Sequence, residues 1–462
     1  MKVLAFIFGL LLLQSCNTSY DLQIINAKIF DTKTGIILDN RKILINADTI
    51  AAVVNGNKSV KARKSIDAQG KLVTPGIIDA HIHPMHFFGD YDAAPLYLAA
   101  DSLDYFRKRF SDDYLPYGVT AVMIMGQPES WLKPILNWSA HPSPDYTDIY
   151  TTGGALISIE ERQPYIGHIT VESPLAARQK VLDYYKMGIR HLKLYWRLRP
   201  PEFDSAYKTA DSLGMRVYGH IDNDIMNMNT SMQIGLKNYE HIFTITYSLP
   251  LSDTDGTHFA EWMDKFYGKD KWQSLPFFES RMNEVRWSID NQSKAIDSLI
   301  ENLLKNNATF STTIHLFAEQ FGLAYFSNIK NISDSGLNKE RMKRNADNFK
   351  AFMTLVKKIY DKGIKIRLGT DCPNGGKAAL SEQLILAEYG FSVPAIIQIS
   401  TINGATALGM EAKYGLVEEG KKADLIIYDK SPFDDYKNFR SNRTIIKDGA
   451  IYKTVIGSNA GQ

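Results

Sequence analysis

Cysteine is nearly missing from this chain: Cys16 and Cys372 are the two in 462 residues. That excludes a disulfide-rich scaffold and any zinc site built from four thiolates. A basic excess is missing as well. Lys and Arg number 53 against 51 Asp and Glu, a formal net charge of +2. Little is available to neutralise a phosphate backbone, so no nucleic-acid partner is expected. Beyond the N-terminus no apolar run reaches the ~20 residues that span a bilayer. Solenoid and propeller periods are absent too. What is present is a chain with 44% hydrophobic and 23% charged residues, enough for a large core. Its length allows about three domains of ordinary size, or fewer if one is a large barrel.

The N-terminus reads as an address. Met1-Lys2 is a short positive segment, and Val3 to Leu13 is an apolar run interrupted at Gly9. The run is too short to span a membrane well and has the flanks of a secretory signal. Leu13-Gln14-Ser15-Cys16 follows at once and resembles the bacterial lipoprotein box, in which the cysteine is acylated and becomes the mature N-terminus. That implies an exported body, tethered by acyl chains at Cys16 to a bacterial membrane on its periplasmic or outer-membrane side. The alternative is a plain signal cut near Ser15, leaving Cys16 a free thiol.

Residues 21–73 read as short strands and turns, and so does 413–462. Neither end has enough strands to close a core, so the two are expected to pair into one small β-sandwich. Between them, over 74–412, strand and helix alternate, which argues for a parallel sheet. Candidate strands are 76–82, 119–125, 147–152, 189–195, 215–220, 237–243, 308–314 and 364–370. Eight such units predict an α/β fold of the (β/α)₈ TIM-barrel type, with its active site at the C-terminal strand ends. Ser173, Pro174 and Gly188 delimit one helix, and 338–361 is a long amphipathic candidate. Residues 250–306 are too long for a simple connection. They are read as a helical insertion able to form a lid, with Trp and Tyr residues that make its own small core.

The barrel supplies a test, because metal-binding side chains should lie at strand ends on the inward face. His81 and His83 close the first strand and, two apart, point the same way. His220 ends the fifth strand, His241 the sixth and Asp371 the eighth. Imidazoles and a carboxylate suit zinc or a similar divalent ion. On the fourth strand, alternation puts Leu192 and Leu194 on one face and His191, Lys193 and Tyr195 on the other. With the second face inward, Lys193 stands beside the metal position. Burial and positive neighbours favour its neutral amine, which reacts with CO₂ to give a carbamate, an anionic ligand able to bridge two ions. The alternative is a lysine that reaches solvent or pairs with Asp371.

Almost the whole chain after the signal resembles the amidohydrolase superfamily. Val73-Thr74-Pro75-Gly76-Ile77-Ile78-Asp79-Ala80-His81-Ile82-His83 matches the entry motif of that family. Gly118-Val119-Thr120 resembles its second strand, Tyr239-Glu240-His241 its sixth and Gly369-Thr370-Asp371 its eighth. The stretches 401–409 and 415–425 resemble its C-terminal passage. The combination points to imidazolonepropionase-like and prolidase-like members. The resemblance implies two divalent ions, with zinc the leading candidate. His81, His83 and Asp371 would hold one, His220 and His241 the other, and N6-carboxylated Lys193 would bridge them. One departure argues against deamination: His220-Ile221-Asp222 is not the His-x-x-Glu of similar deaminases.

The chemistry implied is hydrolysis of an amide or other C–N bond of a small molecule by metal-activated hydroxide, with Asp371 as general base and then acid. Dipeptides and N-acyl amino acids lead as substrates. His168, Tyr195 and Arg197 are candidate substrate contacts, Arg197 as a clamp for a carboxylate. Two alternatives stay open: a mononuclear deaminase or lactonase on the same fold, and a non-catalytic binding lipoprotein. A homo-oligomer is left open as well.

Overall fold

The structure is a computed structural model. It describes residues 19–88, 93–158, 167–221, 225–249, 252–327, 339–373 and 375–453. Cys16 and the rest of the N-terminal address lie outside the described residues, as does Asp222.

Strands from both chain ends build one sheet. From the N-terminal side come β1 (Ser19–Asp31), β2 (Ile36–Asn46), β3 (Thr49–Asn55), β4 (Lys61–Asp67) and β5 (Leu72–Pro75). From the C-terminal side, β16 (Leu425–Tyr428), β17 (Arg443–Lys447) and β18 (Ala450–Lys453) join them. The order is β18-β17-β16-β5-β1-β2-β3, with β4 also on β1. The two ends meet where β16 pairs antiparallel with β5, Leu425 opposite Pro75. Hydrogen bonding thus makes one continuous sheet from both chain ends, as their expected pairing requires. The reason lies in β1, whose register to β2 shifts between Ile24 and Ala27, with Asn26 left-handed at φ 54°. The two halves of this bent strand pair separately, the first with β4 and the second with β5. Leu22, Ile24, Ile43, Val73, Leu425 and Ile446 bury one face of the sheet as a core of its own.

Between these ends run β6 (Ile77–Ile82), β7 (Val119–Ile124), β8 (Asp148–Thr151), β9 (Ala155–Ser158), β10 (His168–Val171), β11 (His191–Leu194), β12 (Arg216–Gly219), β13 (Asn238–Tyr239), β14 (Thr309–Ser311) and β15 (Lys365–Arg367). All are parallel to their neighbours, in ladders of three (β6-β7-β8) and seven (β10-β9-β11-β12-β13-β14-β15). β8 and β9 are successive parts of one run, interrupted at Gly153. There φ is +77° and a Cβ would meet the Tyr184 ring at 2.7 Å. Across the other seam, Ala80 N–H donates to Leu368 O (2.9 Å) and Asp371 N–H to His81 O (2.8 Å). The ladders themselves do not close, but this order and these bonds are what a closed eight-unit sheet requires.

Local chemistry explains the helices between the strands. Ser173 accepts from Ala176 N–H (3.2 Å) and starts the helix Pro174–Lys186. The helix Asp253–Tyr267 opens on a capping box of Ser252 and Asp255. The insertion continues as Phe277–Asn291 and Ser293–Lys305, and Lys339–Asp361 is the long helix expected from its pattern.

A buried ion cluster joins the two parts. Asp148, at the start of β8, faces Lys422 at 2.6 Å and Lys447 at 3.1 Å. Lys447 also reaches Asp448 at 2.7 Å and Asp424 at 3.4 Å. The three carboxylates gather as a metal cage would, but two ammonium groups already stand among them.

Candidate metal centre

Eight of the nine residues marked in the sequence as metal or substrate contacts line one cavity of about 450 Å³ at the C-terminal strand ends. They are His81, His83, Lys193, His220, His241, Asp371, His168 and Tyr195. The ninth is Arg197. Its guanidinium lies 4.1 Å over the Trp196 ring and is not among the lining groups. Trp196 lines the cavity beside Tyr195.

Strand alternation delivers the cluster. On β11, Leu192 and Leu194 enter the core while Lys193 faces the cavity. His81 ends β6, where Gly369 lets it approach: a Cβ at 369 would lie 2.8 Å from His81 Cβ. Asp79 ties the first and last units together, accepting from Thr370 N–H (3.0 Å) and Thr370 Oγ1–H (2.7 Å). Burial raises its carboxyl to about 7. His241, Thr313 and Asp371 follow the sixth, seventh and eighth strand positions in left-handed backbone, at φ 62°, 48° and 50°. Such conformations cost on the order of 1–3 kcal/mol each and gather at functional sites. Here backbone bonds hold them: His241 N–H to Ser311 Oγ (3.0 Å), Thr313 N–H to Gly369 O (2.9 Å), and Asp371 N–H to His81 O.

Hydrogen bonds behind two imidazoles set their tautomers. His81 Nδ1–H donates to Glu240 Oε2 at 2.6 Å, and His83 Nδ1–H donates to Gly126 O at 3.0 Å. Both Nε2 atoms are therefore acceptors, and they face each other at 3.3 Å. Asp371 Oδ1 lies 3.7 Å from the first and 3.3 Å from the second. Three ligand atoms converge on one point. His241 Nδ1 lies 3.8 Å from Asp371 Oδ2 and 3.1 Å from Thr313 Oγ1. The His220 ring packs on His241 with centroids 4.3 Å apart.

The electrostatics keep the four imidazoles in metal-ready form. Burial holds His81, His83, His220 and His241 well below the usual imidazole range, so all four are neutral. Lys193 is 1% exposed, and burial brings its ammonium down to about 8 against the pull of Glu240 and Asp371. Burial pushes Asp371 up, while Lys193 opposes it. Burial would also raise Glu240, but Arg367 and Lys193 outweigh it and keep that carboxylate below its ordinary value. Arg367 is the buried ion-pair partner of Glu240. Neither residue was assigned a role from sequence, though Glu240 stands inside the sixth-strand motif.

The insertion contributes more than expected. Phe259, Met263 and Trp287 do form a separate core, with Trp262, Tyr267 and Trp272 packed on it. But Phe277, Phe278 and Arg281 turn into the cavity, joined by Tyr247, Phe243 and Leu316.

The model of the Amidohydrolase family matches residues 297–460. The imidazolonepropionase of Brevibacillus brevis is 30% identical over 102 residues, which are 21% of this chain and 24% of that protein. The ochratoxinase of Aspergillus niger is 32% identical over 95 residues, 20% of each chain. The matched stretches thus span about a quarter or less of the curated relatives. Solved structures align along nearly the full length. A Xaa-Pro dipeptidase with bound methionine superposes with a TM-score of 0.64 at 19% identity, covering 94% of this chain and all of the other. The A. niger ochratoxinase does so with 0.66 at 15% identity, covering 96% and 99%. At such identities the structures speak for the fold alone. Over residues 297–460 the chain matches the Amidohydrolase family of hydrolases, and along nearly its full length it has the fold of the solved structures named above.

Proposed function

We propose that this protein is a binuclear metal-dependent hydrolase that cleaves the amide bond of a dipeptide or N-acyl amino acid. The observation that carries the reading is a convergence of ligand atoms: two imidazole Nε2 atoms and a carboxyl oxygen within 3.3–3.7 Å. Such a set suits a cation and little else. The side of the cluster toward β11 and β12 supports a second ion. Lys193 Nζ and His220 Nδ1 are buried without a hydrogen-bond partner, an arrangement that costs free energy unless a ligand meets it.

His81, His83 and Asp371 would hold one ion, His220 and His241 the other, with Lys193 as its carbamate between them. When bound, two divalent ions polarise a carbonyl oxygen and bring the pKa of water toward neutrality. Asp371 accepts the proton released as water adds to the carbonyl carbon. It then delivers that proton to the amide nitrogen as the C–N bond breaks, leaving a carboxylate and an amine. Tyr195 stands beside His168 and His220, with ring centroids at 4.4 and 5.1 Å. From there its hydroxyl can donate to the substrate carbonyl while His168 packs against its ring. Two solved structures of the same fold, a Xaa-Pro dipeptidase and a prolidase complexed with N-methylphosphonate-L-proline, favour small peptide substrates. A mononuclear deaminase or lactonase is the alternative.

The test is a screen of protein reconstituted with zinc and bicarbonate against dipeptides, N-acyl amino acids, lactones and cyclic imides. Release of a free amine from the first two classes is expected. Turnover of lactones alone, or of none, would refute the assignment. The lipoprotein box belongs to the same proposal: a soluble catalytic body held at a membrane through acylated Cys16. No helix among the described residues is long and apolar enough to cross a membrane. Cys16→Ala should move the protein from the membrane to the soluble fraction, and a variant that stays with the membrane contradicts the anchor.

A further inference from the structure

The cavity at the metal centre has two unlike sides. On one stand the imidazoles, Lys193 and Asp371; the other is walled by Phe243, Phe277, Phe278 and Leu316. The reaction proposed above uses no group of this apolar wall. It begins at the metal ligands themselves. From the His241 ring, centroids follow one another outward to Phe243 at 5.5 Å, Phe317 at 4.7 Å, Phe278 at 5.2 Å and Phe277 at 5.4 Å. Phe317 meets Phe243 and Phe278 edge to face, at 69° and 90°, the arrangement that ring quadrupoles favour. The rings therefore form a fixed surface.

Folding accounts for part of this row only. Phe317 is fully buried and Phe243 nearly so, and both belong to the main hydrophobic core. Phe278 packs against that core while it also lines the cavity. Phe277 is different: it is 57% exposed. The helix Phe277–Asn291 anchors itself through Met282, Val285 and Trp287, which are buried, so its packing does not depend on a ring at 277. A lone exposed aromatic residue is ordinary. One that lines the same cavity as the metal ligands and extends a row of rings to the rim is apolar surface of the kind that marks a ligand groove.

The cavity, about 450 Å³, is of the size that encloses a small molecule. A substrate held at the cluster would lay one of its substituents along the wall. An apolar substituent there releases water from the rings, whereas a small one leaves that water in place. We propose that Phe243, Phe277 and Phe278 form a subsite for a bulky apolar group, of the size of an aromatic ring, carried by the substrate next to the scissile amide. This rests on the amide-hydrolase reading above and adds the substrate group that is selected, and by which residues.

Three substrates test it, with zinc- and bicarbonate-loaded protein. N-acetyl-phenylalanine against N-acetyl-alanine probes the amine side of the bond, and N-phenylacetyl-alanine against N-acetyl-alanine the acyl side. The ring-bearing member of one pair should be preferred in kcat/KM by at least about 10-fold, the discrimination that an apolar pocket supplies. Phe277→Ala and Phe278→Ala should each narrow that preference to about threefold or less, and Phe278→Leu, which keeps apolar bulk, should retain part of it. Binding gives a readout independent of turnover. Phenylalanine or phenylacetate should stabilise the loaded wild type against heat more than alanine or acetate does, and Phe277→Ala should shrink the difference. A wild type that favours the ring in neither pair, or alanine variants that keep the preference, overturns the subsite and leaves amide hydrolysis standing. Failure of loaded wild type to hydrolyse any of the three substrates counts against the amide-hydrolase reading itself; the heat-stability comparison then decides the subsite alone, and equal stabilisation overturns it.

Discussion

His81 Nδ1 stands 2.6 Å from Glu240 Oε2, and through that contact a buried carboxylate decides which nitrogen of His81 faces the cluster. Carboxylate partners of this kind fix the ring and raise its basicity, and their loss typically costs 10- to 100-fold in metal affinity. Glu240→Gln keeps an acceptor for Arg367 but weakens the contact to His81. Zinc affinity, measured by competition with a chelator, should fall by about 10- to 100-fold with the fold intact by circular dichroism. Unchanged affinity would remove Glu240 from the metal site.

Lys193 offers a sharper test. Lys193→Ala removes the proposed bridging group, so activity should drop by at least about 1,000-fold, comparable to the loss of a major electrostatic contribution, and bound zinc should fall below the wild-type value. A short carboxylic acid such as acetate, small enough to stand where the carbamate stood, should restore part of both. If the variant keeps full metal and activity, the lysine is a packing residue.

Which parts of this were open to sequence reading follows from geometry. Alternation along a strand is rigid, so His81, His83 and Lys193 could be assigned a face from their spacing alone. Strand ends are marked by turns, which placed His220, His241 and Asp371. The rest depends on docking. Arg197 is two residues beyond Tyr195 but follows a loop, where period two no longer holds, and it folds over Trp196. Phe277, Phe278 and Arg281 belong to an amphipathic helix whose inward face is set by how the insertion packs, a long-range fact. The support from Glu240 required knowing that β13 and β6 bring it behind His81. The pairing of β1 with both β4 and β5 turned on the shift near Asn26, which no hydrophobic pattern records.

Glu382 links pH to stability. It is buried, accepts from His315 N–H at 2.7 Å, and its carboxyl is raised to about 8, chiefly by burial. An unfolded chain loses this proton near pH 4–5, whereas the folded one keeps it to about 8. Over that interval the native state binds more protons, so this group's contribution to stability falls as pH rises. Glu382→Gln keeps an acceptor and removes the titration. Relative to the variant, wild type should lose on the order of a few kcal/mol between pH 5 and pH 8. Parallel denaturation curves across that range would contradict the shift.

Lys447 tests the junction between the two parts. It is fully buried among Asp148, Asp424 and Asp448. Lys447→Met leaves three carboxylates with Lys422 alone, and breaking a buried ion pair on one side costs about 3–5 kcal/mol. Chemical denaturation should show that loss, while zinc content per folded molecule stays at the wild-type value. A change below about 1 kcal/mol would mean that the cluster is solvated.

The central claim is that six groups hold two ions, with a carbamate between them. The direct measurement is a crystal structure of protein prepared with zinc and bicarbonate, recorded at the zinc edge. Two anomalous peaks per chain are predicted, one among His81, His83 and Asp371 and one between His220 and His241, with carbamate density extending Lys193 between them. A single peak, or an unmodified Lys193 amine, would contradict the account.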